Sequence, residues 1–114
     1  MDRPPNDPKK DLTRILATQD GRAFIAVSQN QPIGIAVAGY EGKRGWLYYI
    51  GVIPEARGQG VAQKLIDAAL TYLRTLGAPK VLLFIREGDE HLIAYYERFG
   101  FVQQAVTVLG KELT

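Results

Sequence analysis

The feature that most constrains this chain is the segment 46–66, WLYYIGVIPEARGQGVAQKLI, which runs from an apolar stretch through a glycine-rich turn into a helical pattern. Pro54 lacks a backbone donor, so the apolar stretch reads as a strand that ends there. Beyond Gly58 and Gly60, apolar residues recur at helical spacing until Gly77 and Pro79 stop the pattern. A strand, a glycine turn and a helix in this order predict an α/β fold with an anion site at the start of the helix.

The backbone of the first helical turn explains the anion site. Its first four N–H groups have no partner within the helix, and the aligned peptide dipoles place about half a positive charge there. Gly58 and Gly60 lack the Cβ atoms that would hold a phosphate away, and Arg57 and Lys64 add positive charge. The P-loop pattern does not fit GQGVAQK, and a dinucleotide fingerprint would need a glycine at position 63 and an acid near position 79.

The rest of the chain predicts alternating strands and helices. Asp7 and Pro8 are a typical N-cap and first-turn pair for a helix at about 8–18. Strands are predicted at 22–29, 33–41 and 46–53, then, after the central helix, a buried strand at 80–86, a helix at 89–100 and a final strand or bent strand pair at 101–113. This order predicts a mixed α/β (α+β) fold, a mostly antiparallel sheet with helices on both faces, in one domain of residues 1–114.

Composition removes several function classes. The chain has no cysteine and a single histidine, His91, which excludes disulfide scaffolds, thiol nucleophiles and multi-histidine metal sites. The formal net charge of +2 is spread along the chain, which favours a small anionic ligand and argues against nucleic acid as a partner. Without a signal peptide or the roughly 20 apolar residues of a membrane span, a cytoplasmic protein with no membrane contact is expected.

Two motifs together resemble those of a family that binds a diphosphate at this turn. The stretch RGQGVA, residues 57–62, resembles the pyrophosphate-binding signature Gln/Arg-x-x-Gly-x-Gly/Ala of the GNAT superfamily of N-acetyltransferases, and VIPEA before it matches the usual lead-in. YYERFGF, residues 95–101, resembles the second signature of that family, a helix ending Tyr-Glu-x-x-Gly-Phe. Both motifs occur in the family's order and at its spacing, and residues 39–62 look most like the YpeA-type bacterial branch.

The resemblance implies a site for acetyl-CoA as cosubstrate. A bulge would separate the strand before the glycine turn from its neighbour, and the pantothenate arm would bond the backbone of Ile50, Gly51 and Val52. The pyrophosphate would lie on Arg57, Gly58, Gln59, Gly60, Val61, Ala62 and Gln63. Asp89 stands where many members carry a pantetheine-binding asparagine, but its carboxylate only accepts hydrogen bonds, and N-capping the last helix is its alternative role.

The resemblance also implies a direct reaction, in which an amine of a small molecule or a protein attacks the thioester without a covalent enzyme intermediate. A backbone N–H near Val52 would stabilise the oxyanion, and Tyr96 would protonate the leaving thiolate, although a tyrosine on that helix face could equally be core. Phe84 stands where related peptide N-terminal acetyltransferases place a glutamate base. The candidates left for the base are Glu41, Glu55, Glu87, Glu90, Tyr48 and Tyr49.

The front of the chain departs from the family pattern. Members normally carry one more strand and helix before the helix that opens at about Pro8, so an N-terminally shortened domain is expected, with 22–29 at a sheet edge. The expected consequence is either a homodimer that covers this edge or a shortened fold with impaired acceptor binding. A CoA-binding or regulatory module with weak or no catalysis is therefore the alternative to an N-acetyltransferase.

Overall fold

The computed structural model describes residues 8–114, so the N-cap predicted at Asp7 lies outside the described residues. The elements are α1 (Pro8–Ala17), β1 (Arg22–Ser28), β2 (Gln31–Tyr40), β3 (Gly45–Val52), α2 (Val61–Thr75), β4 (Val81–Leu82) and α3 (Glu90–Glu97), with a short 3-10 turn at Pro54–Ala56. They confirm the mixed α/β class. The chain divides into two compact units, the first ending at Phe84 and the second spanning Ile85–Thr114.

The first unit contains a four-stranded sheet in the order β1-β2-β3-β4. Its first two pairings are antiparallel and the last is parallel, which confirms the mostly antiparallel sheet. Gln29 and Asn30 join β1 to β2 with φ of 51° and 63°, the left-handed pair of a tight hairpin turn. β1 is an edge strand, as the sequence predicts.

Helix α2 packs on one face of this sheet through a buried row of Leu65, Ile66, Ala69 and Leu73. Small residues on the strands let it come close: a Cβ built at Gly34 would lie 2.9 Å from Leu65 Cδ1, and one at Gly45 would lie 3.1 Å from Leu73 Cδ1. Full burial of each large aliphatic side chain stabilises the fold by roughly 1.5–3 kcal/mol. The core of the first unit therefore lies between α2 and the sheet.

The second unit contains α3, whose two ends are capped as predicted. Asp89 is the N-cap, and its Oδ1 accepts a hydrogen bond from the Leu92 N–H at 3.0 Å. At the other end Gly100 has a φ of 92°, and the Phe101 N–H donates to the Tyr96 carbonyl at 3.3 Å. The ring of Phe101 also packs against that of Tyr96, which completes a Schellman-type end with its hydrophobic contact.

Two strand predictions are wrong. The strand predicted at 80–86 is reduced to Val81–Leu82, and 101–113 contains no regular element. A strand forms only where a neighbour offers unpaired N–H and C=O groups, and an apolar pattern cannot report whether that neighbour exists. The exposed apolar residues of the last segment are Val102, Val106, Val108, Leu109 and Leu113.

None of the helices in the described part of the chain has both the length and the apolar character that a membrane span requires.

Candidate active site

The glycine turn before α2 has the geometry of an open anion site. Gly58 and Gly60 adopt left-handed φ values of 77° and 78°, which favour glycine. A Cβ built at either position would meet no protein atom within 4 Å. The left-handed backbone therefore accounts for the glycines, and their open Cβ positions leave room for a ligand to approach the backbone.

The first turn of α2 supplies the donors for such a ligand. Gly60 is the N-cap residue and has no side chain to cap the helix, and the first helical bond described runs from the Lys64 N–H to the Gly60 carbonyl at 3.2 Å. The N–H groups of Val61, Ala62 and Gln63 therefore precede the helical ladder. Together with the helix dipole, they form a site for negative charge.

The side chains around this turn are held within the segment. Arg57 Nε donates to the Val52 carbonyl at 3.3 Å and so links the turn to the end of β3. Gln59 donates to the Glu55 carbonyl at 3.4 Å, and Gln63 Nε2 donates to Asp67 Oδ1 at 2.9 Å. Since these side-chain amides are engaged with neighbours, the backbone N–H groups are the principal donors for an anion.

The ladder between strands β3 and β4 ends early in β3, well ahead of the glycine turn. Their parallel pairing consists of Gly45 with Val81 and Trp46 with Leu82, whereas β3 runs on to Val52. Within residues 8–114, the ladder of the 50–52 backbone is with β2 alone. Among the described residues, this edge therefore has no strand partner on the side away from β2.

A bulge in β3 accompanies this separation, as the family resemblance implies. The register on β2 shifts from Val37 opposite Tyr49 to Ala38 opposite Leu47, so Tyr48 is the extra residue. In a regular strand, successive side chains alternate between faces. The bulge removes that alternation here and places Tyr48 and Tyr49 on the same face.

The face that carries both tyrosines is the one opposite α2. A Cβ at Gly34 points at α2, so Val37 and Gly39, three and five residues on, point the other way. Tyr49 is paired with Val37, and a Cβ at Gly39 would lie 2.8 Å from the ring of Tyr48.

Trp46 pairs with Gly39 and so shares this face, and its ring meets that of Phe84 edge-on at 5.1 Å. We call Trp46, Tyr48, Tyr49 and Phe84 the aromatic face. Its members are partly open to solvent: the exposed fraction is 44% for Tyr48, 39% for Tyr49 and 71% for Phe84. These aromatic side chains thus lie on an accessible surface.

Two carboxylates lie beside the aromatic face. The Tyr49 hydroxyl donates to Asp11 Oδ2 on α1 at 3.3 Å, and burial, followed by the Asp11 charge and this hydrogen bond, raises the pKa of Tyr49. Burial and then the charge of Glu41 raise the pKa of Tyr48, but Glu41 also forms an ion pair of 2.8 Å with Arg44. Sequence reasoning missed Asp11, because it lies 38 residues from Tyr49 and no motif links the two.

The second unit contains the predicted acid and one predicted cofactor residue. Tyr96 is half-buried between Tyr95 and Phe101, with ring centroids at 5.2 and 5.7 Å. Burial, with a smaller effect of Tyr95, raises the pKa of Tyr96, which favours a hydroxyl that keeps its proton. Asp89 in the same unit is the N-cap of α3. The roles of Tyr96 in proton transfer and of Asp89 in cofactor binding stay predictions.

The remaining candidates for the base are distributed over both units. Glu55 lies in the short 3-10 turn of the first unit, whereas Glu87 and Glu90 belong to the second.

Among residues 8–114, no three histidine, cysteine or carboxylate side chains lie together as a metal site would require.

A model of the acetyltransferase (GNAT) family matches residues 1–101. Among solved structures, the fold resembles AAC(6')-Iy in complex with the bisubstrate analogue CoA-S-monomethyl-acetylneamine, with a TM-score of 0.78 and 21% identity over 93% of this chain and 78% of the other.

Two further structures show the same fold. The aminoglycoside 6'-N-acetyltransferase AAC(6')-IG from Acinetobacter haemolyticus gives a TM-score of 0.78 at 21% identity, over 94% of this chain and 81% of the other. A putative acetyl transferase from Pyrococcus furiosus gives 0.74 at 21% identity, over 91% and 74%. At such identities the likeness is one of fold, while the family match covers most of the sequence.

Proposed function

The chain belongs to the acetyltransferase (GNAT) family, and on that premise we propose that it moves an acetyl group from acetyl-CoA to a primary amine of a small molecule or protein, by direct attack on the thioester. One observation carries the proposal: the uncapped N–H groups of α2 lie behind two left-handed glycines whose Cβ positions are open. Backbone donors without a Cβ in front of them suit a diphosphate, the anion at the centre of coenzyme A.

The cofactor lies along β3 and the glycine turn in this proposal. Residues 58–63 bind the pyrophosphate through the backbone, with Arg57 beside them, and the pantetheine arm follows the backbone of 50–52 where β4 has diverged. The likeness in fold to AAC(6')-Iy with its CoA-based analogue supports this placement. Asp89 uses Oδ1 to cap α3, so its other carboxylate oxygen would accept from the arm.

The reaction then needs an oxyanion donor, an acid for the leaving thiolate and a base that accepts the proton of the attacking amine. The candidates for the base stay Glu41, Glu55, Glu87, Glu90, Tyr48 and Tyr49. The Val52 N–H stabilises the negative charge that develops on the thioester oxygen, a contribution of about 2.7–4 kcal/mol per donor in such sites. Tyr96 protonates the leaving thiolate, because a tyrosine hydroxyl keeps its proton at neutral pH.

Finer assignments follow from the same resemblance. We place the chain in the YpeA-type branch on residues 39–62, and in the cytoplasm. A homodimer that covers the β1 edge is supported by the exposed Ile25 and Val27 on that strand. Analytical ultracentrifugation tests the dimer, and a monomer at high concentration would remove it.

A CoA-binding or regulatory module is the second candidate. Its support is Phe84, which is largely exposed and stands where related enzymes place a glutamate base. Such a module would bind acetyl-CoA through the same backbone and release no thiol.

Calorimetry with acetyl-CoA and with CoA is the first test, followed by thiol release with kanamycin, spermidine and a peptide α-amine. Binding of acetyl-CoA together with amine-dependent thiol release supports the enzyme. Binding without thiol release from any of these amines favours the module. If the protein binds neither acetyl-CoA nor CoA, both the enzyme and the module are ruled out.

A further inference from the structure

We infer that Asp11, oriented by Tyr49, binds an ammonium group of the acceptor, so that the acceptor carries a second cationic amine besides the one that is acetylated. The inference rests on the proposed function and adds the chemical class of the acceptor. It is based on a contact that the sequence does not reveal, the 3.3 Å hydrogen bond from the Tyr49 hydroxyl to Asp11 Oδ2.

The Asp11–Tyr49 pair lies close to the part of β3 at which the pantetheine arm is placed. Tyr49 directly precedes the 50–52 backbone at which the pantetheine arm is placed, and a rise of about 3.3 Å per residue puts Tyr49 roughly 7 Å from Gly51. Both Tyr49 and Asp11 belong to the first unit, and they meet on the sheet face opposite α2. A small acceptor can therefore reach both Asp11 and the edge of β3.

The Asp11 carboxylate has an oxygen that can accept a hydrogen bond from a ligand. Asp11 is half-buried and has one carboxylate oxygen fixed by the Tyr49 hydroxyl, which leaves Oδ1 to accept from a ligand. Glu41, the other carboxylate beside the aromatic face, is paired with Arg44 at 2.8 Å. The negative charge of Glu41 is thus partly neutralised by Arg44, so an incoming cation is attracted more strongly to Asp11.

The aromatic face completes the site for a cation. Tyr48 and Tyr49 point to the same side of β3 because of the bulge, and both are partly exposed. Aromatic faces attract ammonium groups, and a carboxylate with a fixed orientation forms a charge-assisted hydrogen bond with them. The combination selects an alkylammonium group over a neutral group of the same size.

Putrescine and butylamine test the inference, because they share a four-carbon chain and differ by one ammonium group. We expect kcat/KM of the wild-type protein to favour putrescine by about ten-fold or more, the range of a hydrogen bond to a charged group. In Asp11→Asn this preference should fall to about two, the statistical advantage of two equivalent amines. Asp11→Glu should restore part of it.

Matched variants separate recognition from folding. Tyr49→Phe should raise KM for putrescine with little change in kcat, whereas Tyr40→Phe, which loses a hydroxyl bonded to the Gly42 carbonyl, should change neither. Asp20→Asn controls for Asp11→Asn, since Asp20 is also a half-buried aspartate of the first unit. Both amines are assayed on one sample, so a loss of folded protein cancels from the ratio.

Three results would overturn the inference: a wild-type ratio near two, an unchanged ratio in Asp11→Asn, or acetylation of neither amine by protein that binds acetyl-CoA. The last result leaves the proposed function intact with other amines. Failure to bind acetyl-CoA would instead remove the proposed function itself, together with everything that depends on it.

Discussion

Gly58 and Gly60 allow a direct test of the anion site at single residues. Both have left-handed φ values and an open Cβ position, so alanine would add a methyl group at the backbone where the phosphate is proposed to bind. Left-handed backbone costs a non-glycine residue about 1–2 kcal/mol. We expect either alanine variant to raise the Kd for acetyl-CoA by about ten-fold or more, measured by calorimetry.

Gly42 provides the control for backbone strain. It has a φ of 100° and an equally open Cβ position, but lies in the turn between β2 and β3. Gly42→Ala should lose stability by a similar amount and keep its affinity for acetyl-CoA. An equal loss of affinity in Gly42→Ala would mean that strain, rather than a methyl group in the anion site, weakens binding.

Tyr96 and Tyr95 form a matched pair for the acid. Removal of the Tyr96 hydroxyl should lower kcat by roughly 10² to 10⁴ and leave the Kd for acetyl-CoA unchanged, since general acid catalysis contributes in that range. Tyr95→Phe, on the same helix and in ring contact with Tyr96 at 5.2 Å, should keep its rate. Equal rates in the two variants, from single-turnover thiol release, would assign Tyr96 to packing.

The role of a single residue could be predicted where it depends on residues close to it in the sequence. Asp89 as an N-cap and Gly100 as a helix end depend on bonds within a few residues, and both predictions are confirmed. The Asp11–Tyr49 contact depends on how α1 lies over β3, and nothing near either residue reports it. The same holds for Tyr48 and Tyr49 sharing a face, which follows from the bulge.

Helix α2 approaches the sheet closely at Gly34, whereas Gly51 in the neighbouring strand makes no such close contact. A Cβ at Gly34 would lie 2.9 Å from Leu65 Cδ1 and 3.0 Å from the Gly51 carbonyl, whereas one at Gly51 would meet only Ile35 Cγ2, at 3.9 Å. Gly34→Ala should therefore destabilise the fold by about 1–3 kcal/mol through overpacking. Gly51→Ala should leave stability unchanged or raise it by about 0.5–1 kcal/mol, because alanine suits a strand better than glycine.

Urea unfolding of the two variants in parallel measures this difference. The unfolding slopes should agree, so that the midpoints report stability alone. Equal midpoints for Gly34→Ala and Gly51→Ala would contradict the close approach of α2 at Gly34.

Elements were predictable to the extent that they depend on their own residues. The amphipathic pattern of α2 with its glycine stop, and the bounds of strands β1 and β2, are confirmed within one or two residues. The prediction for 80–86 failed because its strand depends on β3, which pairs with it only at Val81 and Leu82. The divergence that shortens this strand is the same feature that exposes the backbone proposed to bind the cofactor.

The charge state of the whole molecule at high pH depends on its tyrosines. Tyr48, Tyr49 and Tyr96 all have a raised pKa, with burial as the largest cause in each case. Above the ordinary tyrosine value of about 10, the unfolded chain loses protons that the folded chain retains. The folded state then binds more protons, so the free energy of unfolding decreases as the pH rises.

The decrease in the free energy of unfolding with rising pH determines the expected pH profile of stability. The contribution of the three hydroxyls is fully present below about pH 10 and is lost as the pH rises through their raised folded values. We expect Tm to fall above about pH 10, and a Tyr48→Phe/Tyr96→Phe double variant to show a shallower fall, because two of the groups that couple folding to proton binding are gone. Thermal unfolding followed by circular dichroism measures both profiles. Parallel slopes for the wild type and the double variant would show that groups other than these hydroxyls control unfolding at alkaline pH.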